Sequence, residues 1–349
     1  MKRKYRWIIT SLIIAIVTIV MVVIAGYVVI LKPNFANRSE KQAYIYIRPG
    51  DNFDDVLKQI DTVMTVGNTT SFRLWANYQH LPEHLHTGRY LIPPSASNRQ
   101  VVNMFSSGSQ SPINITFNNL RLPQQLAARL ATYTMLDSAQ WMSAFTDSAL
   151  LAPYNINTAK LFTLVLPNTY EVYWDITGEQ FLSRMARFST SFWNGKRRAQ
   201  AAALGLTTDE VIILASVVEE ETNKKDEKPM VAGLYLNRLQ RGMLLQSDPT
   251  VKFAVGDFSL TQILNVHLAV SSPYNTYIHP GLPPGPIRMP SLDGIDAVLN
   301  AAHHNYIYMC AKPELNGYHN FAATLAEHNR NAAAYHRALR QWQAKQKQK

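Results

Sequence analysis

The stretch Thr207-Thr-Asp-Glu-Val-Ile-Ile-Leu-Ala-Ser-Val-Val-Glu-Glu-Glu221-Thr222 decides how this chain is read. Thr207 with Glu210 three residues on is a capping box, and the apolar run behind it predicts a helix over Val211–Asn223. Consecutive helical side chains point about 100° apart, so Glu219, Glu220 and Glu221 cannot share a face. From the mean direction of the apolar residues, Glu221 lies about 50° away, Glu219 about 110° and Glu220 about 150°. Glu221 therefore continues the stripe of Leu214, Val217 and Val218, while Glu220 is expected to face solvent. Burial and a helix C-terminus both disfavour a charged carboxylate. A carboxylic acid kept protonated near neutral pH is what general acid catalysis requires. The other reading, a charged helix end paired with Lys224, Lys225 and Lys228, stays open for Glu221 on the wheel alone.

Downstream, a second helix is expected from about Glu227 to Gln240, with Pro229 in its first turn and Gly242 as its stop. Three polar or Gly/Pro segments follow: Gln246-Ser-Asp-Pro-Thr250, Tyr274-Asn-Thr-Tyr277 and Gly281-Leu-Pro-Pro-Gly-Pro-Ile287. As loops facing Glu221 they suit a neutral, hydroxyl-rich ligand such as a sugar. A phosphate would call for Arg, Lys or a Gly-rich helix start instead. No G-x-S-x-G, H-E-x-x-H or Walker pattern occurs. His303 and His304 diverge in a helix, so no metal site is expected. His319, Asn320, His328 and Asn329 suggest hydrogen-bonding or surface roles.

Charge excludes a further class. The chain has 349 residues, with 34 Lys and Arg against 24 Asp and Glu. Five cations (Lys2, Arg3, Lys4, Arg6, Lys32) lie within residues 1–32, and five more (Arg337, Arg340, Lys345, Lys347, Lys349) within 337–349, with no acid in either segment. The body between is balanced, so no nucleic-acid partner is expected. Lys196-Arg197-Arg198 reads as a solvated loop. One cysteine, Cys310, excludes an intramolecular disulfide and reads as a buried core thiol.

Ile8 to Leu31 carries no charge over 24 residues. As a helix it measures about 36 Å, enough to span a bilayer core of about 30 Å. It is too long for a signal-peptide core and ends in Lys32-Pro33 without a small-x-small site. The expectation is a single-pass anchor with residues 1–7 cytoplasmic and the rest outside the cytoplasmic (inner) membrane. Residues 33–42 suit a linker. Residues 43–110 form a small mixed module, with strands at 43–48 and 88–92 and helices at 52–60, 71–79 and 97–105. A connecting region, 111–204, starts with a strand at 113–117 and has helices near 123–133, 137–146 and 178–203. A catalytic core over 205–336 and a basic tail over 337–349 complete an α+β chain.

Several ordered blocks resemble the YceG-like family of endolytic murein transglycosylases. They are Ala215–Thr222, Val231–Leu239, Met243–Val251, Tyr274–Tyr277 and Gly281–Ile287, preceded by Leu166-Pro-Asn-Thr-Tyr170, where Asn168 and Leu166 depart from the family pattern. The resemblance implies a membrane anchor, a LysM-like module at 43–110 and a larger α+β catalytic domain. It implies cleavage between N-acetylmuramic acid and N-acetylglucosamine within nascent peptidoglycan strands, leaving 1,6-anhydro ends and limiting elongation. One glutamate acts as acid and then base, without water, metal or cofactor, which makes the enzyme a lyase. Carried over by position, that glutamate is Glu221. Thr222 is expected to orient it, and Gln246, Tyr274 and Asn275 to hold the sugar, with a structural role the alternative for Gln246. Peptidoglycan, the membrane and cell-wall synthases are the expected partners. The competing reading is a non-catalytic, membrane-anchored glycan-binding scaffold.

Overall fold

The computed structural model describes residues 2–39 and 42–347. Lys349, the last cation of the basic tail, lies outside the described residues. Helix and strand are mixed throughout, and the chain divides into two compact units, Met1–Asn114 with Glu171–Ile176, and Ile115–Tyr170 with Thr177–Lys349.

The first unit begins with α1 (Lys2–Gly26), which continues through a five-residue π-helical turn, Tyr27–Leu31. Tyr5–Leu31 is apolar and long enough to cross a membrane. Strands β1 (Phe35–Asn37), β2 (Tyr44–Ile47), β3 (Met64–Val66) and β4 (Gly88–Leu91) alternate with helices α2 (Phe53–Val63), α3 (Thr69–Tyr78) and α4 (Asn98–Ser107). β1 pairs antiparallel with β3, and β2 with β4, Ile45 opposite Tyr90. The helices start where short polar side chains satisfy free amides: Asn52 caps α2 and Ser97 caps α4, each in a capping box. Phe35, Ile45, Val56, Phe72, Tyr90 and Phe105 share one core.

Residues 33–37 belong to this unit rather than to a linker, with Phe35 in its core. Phe35 is buried, and Pro33 bridges to Ser97. The join to α1 is tight. Buried Asn98 donates through Nδ2 to the Val29 carbonyl (2.7 Å) and to Ser71 Oγ (3.0 Å), and accepts from Asn34 Nδ2 (2.7 Å). A carbonyl left over at the end of the long helix is thus capped by the module itself. Residues 171–176 join the same unit: Trp174 meets Tyr46 edge-on, and Asp175 accepts from Thr87 and Gln110.

In the second unit the elements run β5 (Ile113–Phe117, which starts just before it), α5 (Pro123–Ala131), α6 (Ser138–Thr146), α7 (Ser148–Leu151), α8 (Leu161–Leu164) and β6 (Asn168–Val172). Then come α9 (Gly178–Phe192), α10 (Gly195–Ala203), α11 (Thr208–Glu221), α12 (Lys228–Gln240), α13 (Asp248–Val255), α14 (Asn265–Leu268) and α15 (Leu292–Leu299). Strands β7 (Tyr308–Ala311) and β8 (His319–Ala322) pair antiparallel before α16 (Leu325–Lys347). The single helix expected over 178–203 is two, because Trp193 leaves helical geometry and Asn194 caps α10. The basic cluster expected in a loop lies in α10: Arg197 pairs with Asp296 (2.9 Å) and Arg198 donates to the Trp193 carbonyl.

Helix α11 is the centre of this unit. The capping box of Thr207 and Glu210 starts it, and all eight residues from Val211 to Val218 are buried. It packs against α12 and α15 around Leu214, Val217, Tyr235, Ile295 and Val298. The Gly/Pro segment at 281–287 braces α11. The Ile287 amide donates to Ser216 Oγ (3.0 Å), and Gly285 lies so close to the Ala159 carbonyl that a Cβ would collide with it.

Candidate active site

The three consecutive glutamates at the end of α11 meet three different environments. Glu219 pairs with Lys228 (2.7 Å) and accepts from Ser291 (2.9 Å). Glu220 does not face solvent: Arg121 donates to both of its oxygens, and Arg288 reaches Oε1 at 2.6 Å. Among the described residues, Glu221 alone of the three has no salt-bridge partner. Its Oε1 accepts from two neutral hydroxyls, Tyr235 (2.5 Å) and Ser247 (2.6 Å).

Glu221 stands in a cleft of about 230 Å³ that is also lined by Tyr235, Arg238, Gln246, Asp248, Tyr277, Cys310 and His319. It is packed among protein atoms yet keeps one side open to this space. Burial pushes its carboxyl above the usual 4.5, against the hydrogen bonds from Ser247 and Tyr235 and the field of His319, with Asp248 adding to the rise. The Tyr235 phenol is pushed up in turn, first by burial and then by Glu221, so it remains a donor. With Oε1 doubly engaged, Oε2 is the oxygen left to carry and exchange a proton.

The surrounding loops hold this geometry from a distance. The Ser247 amide donates to Thr276 Oγ1, Thr276 and Thr250 share a hydroxyl contact of 2.7 Å, and Thr250 donates back to the Ser247 carbonyl. This closed ring fixes the hydroxyl that reaches Glu221. Gln246, next to it, sits in the left-handed region (φ +52°), at a cost of about 1–3 kcal/mol. Its amide bond to the Thr276 carbonyl and the guanidinium of Arg238 keep it there. Arg238, buried on α12, also donates to the carbonyls of Ile307 (2.6 Å), Leu244 (3.1 Å) and Leu245 (2.7 Å).

Of the residues expected to hold substrate, Gln246 lines the cleft. Asn275 is wholly buried and spends its side chain on the carbonyls of Leu268 and Val270 and the amide of Tyr277. Tyr274 packs on Phe253 at 4.6 Å between ring centroids. Thr222 is buried, and its hydroxyl accepts from the Lys224 amide; the hydrogen bonds that orient Glu221 come from Tyr235 and Ser247 instead. Cys310 is half-buried on β7 and borders the cleft rather than the core; burial pushes its thiol up.

Sequence reasoning misses Tyr235 and Arg238, reads Ser247, Asp248 and Tyr277 only as members of the loops facing Glu221, and gives His319 only a hydrogen-bonding or surface role. Tyr235 and Arg238 carry a signal, being, with Asn237, the polar residues within the apolar run Val231–Leu239 of α12. His319 is clamped by buried Glu227, which accepts from its amide (2.7 Å) and its Nδ1 (3.0 Å). A carboxylate only accepts, so Nδ1 carries the hydrogen of this bond and Glu227 fixes the orientation of the ring.

Ser247→Ala removes a bond that favours ionised Glu221, so its carboxyl moves further up. If Glu221 is the acid, activity is lost as pH rises through its pKa, and this alkaline limb is expected to shift to higher pH. A fall in kcat of about tenfold should accompany it, the worth of one hydrogen bond. A pH–rate profile checks this; a limb shifted to lower pH would contradict it.

Residues 45–334 match the YceG-like family. The chain is 25% identical over 338 residues to an endolytic murein transglycosylase of Streptococcus pneumoniae strain R6, covering 87% of this chain and 60% of that protein. It is 30% identical over 214 residues to the endolytic murein transglycosylase of Bacillus subtilis strain 168, covering 61% of this chain and 58% of that protein. The chain thus spans about three-fifths of the length of these curated relatives. A crystal structure of a yceG-like protein from Listeria monocytogenes superposes with a TM-score of 0.55 at 24% identity, over 84% of this chain and 99% of that one, a likeness of fold.

Proposed function

The chain belongs to the YceG-like family, and from that premise we propose that it is a membrane-anchored lytic transglycosylase that cuts within peptidoglycan strands. The observation that carries this reading is a buried carboxyl whose hydrogen-bond partners, among the described residues, are two neutral hydroxyls, beside two glutamates already neutralised by cations. Glu221 gives its proton to the glycosidic oxygen as the bond from C1 of N-acetylmuramic acid breaks. The resulting carboxylate takes the proton of the C6 hydroxyl as O6 closes onto C1. The ring forms without water, and Glu221 ends protonated as it began. Gln246 and His319 offer hydrogen-bonding groups to the sugar along the cleft, and Glu227 holds the histidine ring in place. The anchor leaves residues 1–7 in the cytoplasm and the chain from residue 33 onward outside it, where it meets nascent strands and cell-wall synthases. Two helices, α2 and α3, stand between the paired strands β2 and β4, with the short β3 between them, and this supports a LysM-like, glycan-positioning role for the module.

Mass spectrometry of sacculus digests tests the reaction. The expected products end in 1,6-anhydro-N-acetylmuramic acid, and His319→Ala should raise KM more than it lowers kcat. Reducing ends would overturn ring closure and make Asp248, the second carboxylate on the cleft, a base for water.

A further inference from the structure

Helix α3 carries an exposed stripe that the site chemistry does not use. Leu74 and Tyr78 are 60% and 72% exposed, and the Trp75 ring stacks on Tyr78 with centroids 5.4 Å apart. Ser71, one turn earlier on the same face, receives the Asn98 bond that also caps the Val29 carbonyl. α3 packs directly on the π-helical turn at Tyr27–Leu31. The stripe is therefore continuous with the end of the long apolar helix.

The height of that end follows from helix geometry. Trp7 and Tyr27 are separated by about 30 Å of helix, the thickness of a bilayer core. Val29 lies about 3 Å beyond Tyr27, inside a headgroup layer about 5–7 Å deep on each side. Lys32 and Arg99 are exposed on either side of the Pro33–Ser97 bridge, where cations meet anionic headgroups. Trp and Tyr on an apolar stripe are the side chains that settle at the membrane–water boundary.

We propose that the α3 face formed by Leu74, Trp75 and Tyr78 rests in the headgroup–acyl boundary of the membrane, so that the module is docked on the bilayer rather than held above it. This rests on reading α1 as bilayer-spanning. The occupant is phospholipid, because the face runs on from a segment already in lipid.

The full chain, carrying Cys310→Ser and one nitroxide-labelled cysteine at a time, is placed in nanodiscs of phosphatidylethanolamine and phosphatidylglycerol. Labels at Leu74→Cys and Tyr78→Cys should show an oxygen-to-nickel accessibility ratio several-fold above that at Lys58→Cys on α2. A label at Ile19→Cys reports the anchor separately. If Ile19 is deep while 74 and 78 match 58, the docking proposal falls and the anchor stands. If Ile19 is aqueous, both fall. Labels at 74 and 78 that become protected only when soluble glycan fragments are added would make the stripe a sugar platform and overturn the proposal.

Discussion

Glu221→Gln is expected to abolish release of anhydro-muropeptides from purified sacculi while fold and glycan binding survive. One carboxyl serves as acid and as base, and general acid–base catalysis is worth about 10²–10⁴-fold, so a loss of about 10³-fold or more in kcat/KM is anticipated. Glutamine keeps an oxygen for the Tyr235 and Ser247 hydroxyls, so the cleft should stay assembled. Stability gives an independent reading. The folded-state pKa of Glu221 is raised by burial, so between the unfolded and folded values the native protein binds more protons than the unfolded chain. Stability contributed by this residue therefore falls as pH rises through that window. The variant escapes this loss and should be at least as stable as wild type at neutral pH, with the difference vanishing below pH of about 4. Calorimetry at both pH values checks this. Retained activity in Glu221→Gln, or a dead Glu219→Gln beside it, would put the chemistry elsewhere.

The second large effect is expected at Arg238, in stability. Its guanidinium is buried and serves three backbone carbonyls and Gln246, holding the Leu244–Gln246 segment against β7. Arg238→Ala strands those carbonyls and leaves a void, a combined loss of about 3–5 kcal/mol. Arg238→Lys should recover only part, since an ammonium lacks the planar fork that spans the separated acceptors. Activity should fall with stability, because Ser247 follows the anchored segment directly. Urea unfolding measures the loss; a change below about 1 kcal/mol would mean the loop is held by its threonine ring alone.

What could be read in the chain beforehand divides along sequence distance. The capping boxes at Asn52, Ser97 and Thr207 are local, and so were the helices they start. The strand at Phe35–Asn37 was read as linker because its partner, Met64–Val66, lies some thirty residues on. Glu220 was read as solvated because a helical wheel sees only its own helix, whereas Arg121 and Arg288 arrive from 99 and 68 residues away. The wheel also assumed one apolar face, and α11 is buried on every side along Val211–Val218. The polar blocks at 246–250 and 274–277 do converge near Glu221, but most of their side chains knit loops together rather than meet the cleft. Residue type announces hydrogen-bonding capacity; only packing decides whether backbone or ligand uses it.

The cap that Asn98 places on Val29 has a mechanical meaning. With no slack between the apolar helix and the folded module, whatever angle the helix takes in the bilayer becomes the angle of the module. A long apolar helix meets a thin bilayer by leaning and a thick one by standing upright. If the helix spans a bilayer as proposed, local lipid thickness would act through a short lever, setting the angle of the first folded unit.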